Sequence, residues 1–308
     1  APRTAYRARQ VNENGNRELK FSYREGFHDL EVTVPCGRCV GCLRAKAKDW
    51  AVRCVHEASL HESNCFLTLT FDDEHLPAHG SLDNKEFQAF MKRLRQHLRR
   101  EDLNAGKKKE ELRKIRYFAA GEYGETTGRP HYHAIIFGYD FPDRQYLRQR
   151  GKYEVYASPV LEKLWSNGSH EIGSVTFGSA FYVAAYLNKK HQKDVAEDHY
   201  SVVDGRTGEL VDLEPEGALM SRRPGIGAEW LARFADEVLR HDNVVIEGKI
   251  SPVPKYYDHL LSQSHPREMR AVKRRRVARV DQSEQEWERL GVRERCAEAK
   301  QKTFSRRS

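Results

Sequence analysis

Three groups of side chains in this sequence have the types and spacings that chemistry needs. The first is His131 and His133, two residues apart at the entry to the apolar run Ala134-Ile135-Ile136-Phe137. Alternate side chains of a strand share a face, so the two imidazoles stand side by side. A run that is apolar on both parities reads as a central strand. Glu122 ends a second strand-like run, Ile115 to Glu122, which returns to the histidines through a turn holding Gly124 and Gly128. Neighbouring antiparallel strands lie about 5 Å apart. The carboxylate can therefore complete a three-ligand site with positions left for water and phosphate oxygens. Two imidazoles and a carboxylate suit a borderline-hard divalent ion, and Mg²⁺ or Mn²⁺ would serve phosphate chemistry.

The second group is Tyr182 and Tyr186, in a stretch from Gly178 to Lys190 that its alanines favour as helix and that Ser179 can cap. Four residues apart, the two phenols share one helix face, with Lys189 and Lys190 on the following turn. The plain alternative is that the tyrosines are core aromatics with exposed hydroxyls. A phenol with a pKa of about 10 is a poor nucleophile near neutrality. A metal that polarises a scissile phosphate, with a lysine nearby, makes its attack feasible. The product, a phosphotyrosine, preserves the ester's energy, so a later DNA hydroxyl can reverse the step and rejoin strands. Paired tyrosines allow two such transfers in alternation.

The third group is Cys36, Cys39 and Cys42, whose two-residue spacings let thiolates converge on one ion, with Cys54 as a fourth ligand for a candidate structural Zn²⁺. The alternative packs Cys54 in a helix core and leaves the others as reduced loop thiols. An iron–sulfur cluster has no other redox feature in its support.

Around these groups the pattern predicts a hairpin within residues 5–34, turning at Asn14-Gly15, and a helix with Leu43, Ala47, Trp50, Ala51, Cys54 and Val55 on one face. Phe66 to Phe71 reads as a strand suited to a place beside the histidines, ended by Asp72-Asp73, which are either extra ligands or turn chemistry. Asp83 or Asn84 caps an amphipathic helix with Phe87, Phe90, Met91, Leu94 and Leu98 as its buried stripe. Strands are expected at Tyr153–Tyr156 and His170–Val175, and short helices around Leu161–Trp165 and Ala228–Leu239. Residues 191–228 read as loop-rich and Ile250 to Tyr257 as irregular, with Pro252 and Pro254 arguing against a central strand. The tail from residue 263, with Lys273-Arg274-Arg275-Arg276, reads as a solvated, partly ordered helix adding nonspecific DNA affinity.

The net charge of +8 favours a polyanionic partner. No run approaches the roughly 20 apolar residues of a membrane span, and the first residues carry no hydrophobic leader. The expectation is an intracellular chain whose six cysteines are reduced or metal-bound. The segments group as 1–62 (hairpin, cysteines and helix), 63–190 (catalytic core), 191–262 (an extension packed on the core) and 263–308 (charged tail).

Phe66-Leu67-Thr68-Leu69-Thr70, Arg129-Pro130-His131-Tyr132-His133 and Tyr182-Val183-Ala184-Ala185-Tyr186 resemble the three ordered motifs of the HUH endonucleases that start rolling-circle replication. A wider set is similar to the replication initiators of gokushovirus-type microviruses, small single-stranded DNA phages. It takes in Pro35 to Cys42, Trp50-Ala51-Val52-Arg53, Gly121-Glu122-Tyr123-Gly124 and Met220 to Gly227. The resemblance implies an α+β fold: a ferredoxin-like or RRM-like antiparallel sheet flanked by helices, with an N-terminal Cys-rich β segment and a C-terminal helical extension. It implies site-specific nicking and rejoining of single-stranded origin DNA through a 5′-phosphotyrosine, in the cytoplasm of an infected bacterial host, with host replication proteins as further candidate partners. By the same resemblance His131 and His133 are metal ligands, Glu122 the third, and Tyr182 and Tyr186 the nucleophiles. Arg129, Arg222 and Arg223 are candidates for DNA contact. Related enzymes often carry a lysine just before the second tyrosine, where this chain has Ala185. Lys189 holds the equivalent offset from Tyr186, which favours Tyr186 as the primary nucleophile. Two other functions stay open: a nuclease in which metal-bound water attacks while the tyrosines stack on bases, and a non-catalytic DNA-binding module with structural metals.

Overall fold

The structure is a computed structural model that describes residues 3–12, 17–124, 126–186, 200–204, 207–281, 283 and 286–305. The chain divides into two compact units, Ala1–Ala45 with Val277–Ser308, and Lys46–Arg276. In the smaller unit β1 (Arg3–Ala8), β2 (Leu19–Lys20) and β3 (Gly26–Val34) form an antiparallel sheet in the order β2-β1-β3. This matches the expected hairpin, to which β3 adds a third strand; the Asn14-Gly15 turn lies outside the described residues. Helix α1 (Val40–Ala58) follows.

The larger unit is built on a seven-stranded sheet. Its strands are β4 (Asn64–Thr70), β5 (Arg116–Tyr123), β6 (Pro130–Phe137), β7 (Gln145–Arg150), β8 (Tyr153–Ala157), β9 (His170–Gly173) and β12 (Gly217–Met220), in the order β12-β5-β6-β4-β9-β8-β7. Every neighbouring pair is antiparallel. β4 and β5 both oppose β6 and so run parallel to each other, with α2 (Asn84–Asn104) crossing between them. That is a split β-α-β unit with the histidine strand at its centre. The remaining strands form two small hairpins, β10 (Ser201–Val203) with β11 (Leu210–Asp212), and β13 (Val244–Ile246) with β14 (Lys249–Ser251).

Strand alternation sorts the sheet into two cores. Leu67, Leu69, Tyr132, Ala134 and Ile136 meet the α2 stripe, together with α3 (Pro159–Leu164) and Trp165. Phe87, Phe90, Met91, Leu94 and Leu98 are all buried, each worth roughly 1.5–3 kcal/mol of apolar burial. Asp83 caps that helix by accepting from Lys85 N–H at 2.9 Å. On the other face Phe118, Ala120, Ile135 and Phe137 meet Ala47, Ala51 and Cys54 of α1, and Ala180, Val183 and Ala184 of α4 (Phe177–Tyr186). A third core joins Val52 to α5 (Ala228–His241), α6 (Lys255–Ser264) and α7 (Pro266–Ala278). The last helix is α8 (Trp287–Ser305), and no described helix is long and apolar enough to cross a membrane.

Four expectations are corrected. Within the stretch read as loop, β12 pairs Gly217↔Gly121 through Met220↔Phe118 and extends the central sheet. Its four residues are too few to announce a strand locally, and β5 supplies the edge that orders them. Of the stretch Ile250 to Tyr257, read as irregular, only residues 252–254 are so: β14 pairs with β13 and α6 begins at Lys255, while Pro252 and Pro254 lie outside any strand, as expected. The tail is not wholly solvated: Met269 and Val272 of α7 are buried in the third core. The cap of α4 is Thr176 rather than Ser179. Ser179 Oγ accepts from Thr176 N–H at 2.9 Å while Thr176 Oγ1 accepts from Ser179 N–H at 3.1 Å, a reciprocal box of the kind that closes a helix start.

Candidate active site

Strand register assembles the site. Across the α4-facing side of the sheet, Glu122 of β5 lies opposite His131 of β6, and His131 opposite Thr70 of β4. Two residues along, Ala120, His133 and Thr68 form the next row. Directly opposed side chains on one face are in contact range. His131 Nε2 lies 2.8 Å from Glu122 Oε1, and His133 Nε2 lies 3.8 Å from Glu122 Oε2. The far side of each ring is held in turn. His131 Nδ1 donates to the Arg129 carbonyl at 3.1 Å, and His133 Nδ1 meets Thr68 Oγ1 at 3.1 Å, with Phe66 stacked on the His133 ring.

These contacts test whether the trio fits a cation. A carbonyl only accepts, so His131 Nδ1 carries its proton, and a neutral imidazole then presents a lone pair at Nε2. That lone pair faces a carboxylate oxygen at 2.8 Å; either a proton or a metal ion must lie between them. Glu122 is 4 % exposed, and its Oε2 has no hydrogen-bond partner among the described residues. Burial, with His131 and Arg150 adding, holds His133 well below the usual histidine range. It is therefore neutral, as a ligand must be. One atom from each of Glu122, His131 and His133 lies within 4.8 Å of the others. The donor set fits a divalent ion, with both imidazoles oriented from behind.

The tyrosines arrive on α4. Ala180, Val183 and Ala184 pack into the core, and the phenols leave from the adjoining flank. Tyr182 Oη lies 3.4 Å from His133 Nε2, and its ring meets His133 edge-on at 4.9 Å. Tyr186 stacks over His133 at 6.2 Å, with its ring 5.0 Å from that of Tyr182. Burial, then the negative charge of Glu122, pushes the Tyr186 hydroxyl far above its ordinary pKa.

Tyr182, His131, His133, Thr68 and Thr70 line a cleft of about 400 Å³ whose cations are Arg129 and Arg150. Gly168 lets the chain before Ser169 pass close to the end of β4. Its φ of +150° is open to glycine, and a Cβ there would come within 2.4 Å of the Thr70 carbonyl. The chain thus folds tightly onto the end of β4, and Ser169 Oγ reaches Thr70 Oγ1 at 2.6 Å.

Glu122, His131, His133, Tyr182, Tyr186 and Arg129 come together; among the described residues the other sequence candidates do not join them. Arg222 and Arg223 follow β12, which leaves the sheet beside Phe118, four residues or about 13 Å along β5 from Glu122. Asp72 turns to His75 at 2.7 Å and Asp73 to Arg129 at 2.6 Å, so neither is a ligand. Lys189 and Lys190 lie outside the described residues. Cys36, Cys39 and Cys42 cluster in the smaller unit. Burial tends to raise the Cys36 thiol, but the N–H groups of Cys39 and Arg38 outweigh it and bring the pKa to about 7. At Cys42 burial, with the neighbouring sulfurs adding, pushes it up to about 11. Cys54 is not with them: it is fully buried among Ala47, Ala51 and Phe118. The sulfurs that converge are those of Cys36, Cys39 and Cys42. Two contributors were not singled out from the sequence, Thr68 behind His133 and Arg150 in the cleft. The run Arg148-Gln149-Arg150-Gly151-Lys152 was the only hint of the latter.

Comparison with known proteins adds the following. The family model of the replication-associated protein ORF2/G2P matches residues 64–191, which contain all five of Glu122, His131, His133, Tyr182 and Tyr186. The chain is 35% identical to the replication-associated protein VP4 of Bdellovibrio phage phiMH2K over 259 residues, 82% of this chain and 75% of that one. It is 32% identical to the replication-associated protein ORF2 of Spiroplasma virus 4, over 75% of this chain and 68% of that one. With the replication-associated protein ORF4 of Chlamydia phage 1 the identity is 30%, over 77% and 56%. No solved structure matches.

Proposed function

Because this chain belongs to the phage replication-associated protein family, we propose that it initiates replication by nicking and rejoining single-stranded phage DNA, with a tyrosine as the attacking group. The observation that carries this reading is the approach of Tyr182 Oη to within 3.4 Å of His133 Nε2, in an open cleft. Helix and strand, 49 residues apart in sequence, deliver a nucleophile and a ligand set to one point.

In the proposed reaction Arg129 and Arg150 draw the DNA backbone into the cleft and offset its charge. Tyr182 Oη attacks the phosphorus and loses its proton, and the 3′ oxygen departs and gains one. The 5′ phosphate stays on the tyrosine, one phosphodiester exchanged for another. A divalent ion held by Glu122, His131 and His133 would polarise the phosphate oxygens. Tyr182 takes the first attack because it lines the cleft, whereas burial and Glu122 keep the proton on Tyr186. Tyr186 then serves a second cleavage: its hydroxyl attacks a new origin phosphate and loses its proton, and the 3′ hydroxyl so released attacks the Tyr182 ester, rejoining the strand and freeing Tyr182. Lys189 and Lys190 follow in the sequence and are proposed to assist deprotonation.

The test is a labelled single-stranded oligonucleotide carrying the origin of the encoding genome, incubated with the full chain and Mn²⁺ or Mg²⁺. A covalent adduct resisting denaturing electrophoresis is expected. Tyr182→Phe should reduce it about 100-fold or more, and Tyr186→Phe should leave a first-round adduct but abolish the second cleavage. Free cleaved ends without an adduct, or an adduct that persists in the double variant, would overturn the assignment.

A further inference from the structure

The reaction above makes no use of Cys36, Cys39 and Cys42. Their sulfurs lie within 4.8 Å of one another, with 4.0 Å between those of Cys36 and Cys42. The loop that carries them is shaped around sulfur. Gly37, at φ +76°, takes the left-handed turn that glycine favours. The chain then aims the N–H groups of Arg38 and Cys39 at Cys36 Sγ, at 3.4 and 3.2 Å. Leu43 N–H donates to the Cys39 carbonyl at 3.0 Å, so the segment runs straight into the first turn of α1, where Cys42 sits.

Backbone N–H groups directed at a sulfur favour its anionic form. Three sulfurs this close cannot all ionise without a cation between them. Among the described residues no disulfide forms, and a pairing of two would strand the third. We propose that Cys36, Cys39 and Cys42 bind one Zn²⁺, forming a metal knuckle that fixes the first turn of α1. Soft thiolates select zinc over the hard ions suited to Glu122, His131 and His133, so the chain holds two sites of different metal preference. The fourth tetrahedral position is left to water or to another donor. Cys54 does not supply it.

The full chain, purified without added metal, is passed through gel filtration and its metal measured by mass spectrometry. About one zinc per chain is expected, unchanged in His131→Ala and in Cys54→Ala and lost in the Cys36→Ser/Cys42→Ser double variant. Cobalt exchanged into the wild-type chain should give an intense sulfur-to-metal charge-transfer band, so the proposal stays testable if the double variant does not fold. Three outcomes would each overturn it. One is a zinc-free chain whose cluster thiols react at once with a thiol reagent and whose cobalt form lacks that band. The others are zinc retained by the cysteine variants, and an iron–sulfur chromophore in anaerobically purified protein.

Discussion

Between His131 Nε2 and Glu122 Oε1, 2.8 Å apart, local chemistry demands a positive charge. Everything around the pair holds it ready. Thr68 makes this concrete, since its hydroxyl meets His133 Nδ1 at 3.1 Å. Thr68→Val keeps the branched shape a strand prefers and removes only the hydroxyl. Loss of such a supporting contact typically costs 10–100-fold in metal affinity. The variant should therefore bind Mn²⁺ about that much more weakly in calorimetric titration, with its urea midpoint little changed. Equal affinity would mean that packing alone fixes the His133 ring. The histidines and Glu122 were legible in the sequence because a two-residue period and one short turn place them on adjacent strands. Thr68 was not. A strand threonine looks the same whether it faces solvent or steadies a ligand, and only the register Thr68↔His133 distinguishes the cases.

Helix α4 carries both tyrosines of the proposed reaction to the sheet. Its start is fixed by the reciprocal bonds of Thr176 and Ser179. Replacing a cap of this kind with alanine costs about 1 kcal/mol. Thr176→Ala should fray the turn that leads to Tyr182, lowering adduct formation several-fold while DNA affinity, read by fluorescence anisotropy, stays near wild type. An unchanged rate would show that Ala180, Val183 and Ala184 hold the helix without the cap. Alanine content and the four-residue spacing of the phenols made the helix and the flank the two rings share legible. The cap was placed three residues late because Ser179, the partner within the box, is by type as good an N-cap as Thr176. β12 was missed for a different reason: Gly217-Ala218-Leu219-Met220 acquires its extended form from pairing with β5, a partner about a hundred residues away in sequence.

At the scale of the whole molecule, composition gave the sign of the charge but not which cations are already engaged. Arg276, in the densest basic run, bridges Asp242 and Asp258, with Nε 2.8 Å from the first and Nη2 2.9 Å from the second. Arg276→Ala should cost about 2 kcal/mol in urea unfolding, since it leaves Asp242 unpaired at 7 % side-chain exposure. Buried histidines, His170 among them, contribute to the response to pH, and His56 and His133 show how. His56 is 3 % exposed, stacked 3.5 Å from Trp230, with Nδ1 3.0 Å from Tyr257 Oη, and burial pulls its pKa down from 6.5 to about 4. Burial also holds His133 well down. In the unfolded chain both return to about 6.5. Below that pH the unfolded state takes up protons that the folded state refuses, so stability is complete above 6.5 and declines as the medium is acidified. For His56 alone the loss is about 2 kcal/mol by pH 5, a range in which most carboxylates are still ionised. The urea midpoint should hold steady from pH 8 to 7 and fall between 6.5 and 5. His56→Gln, which can still hydrogen-bond Tyr257, should flatten that fall by the His56 share. Parallel curves for the two proteins would mean that His56 accepts its proton without unfolding the core around Trp230.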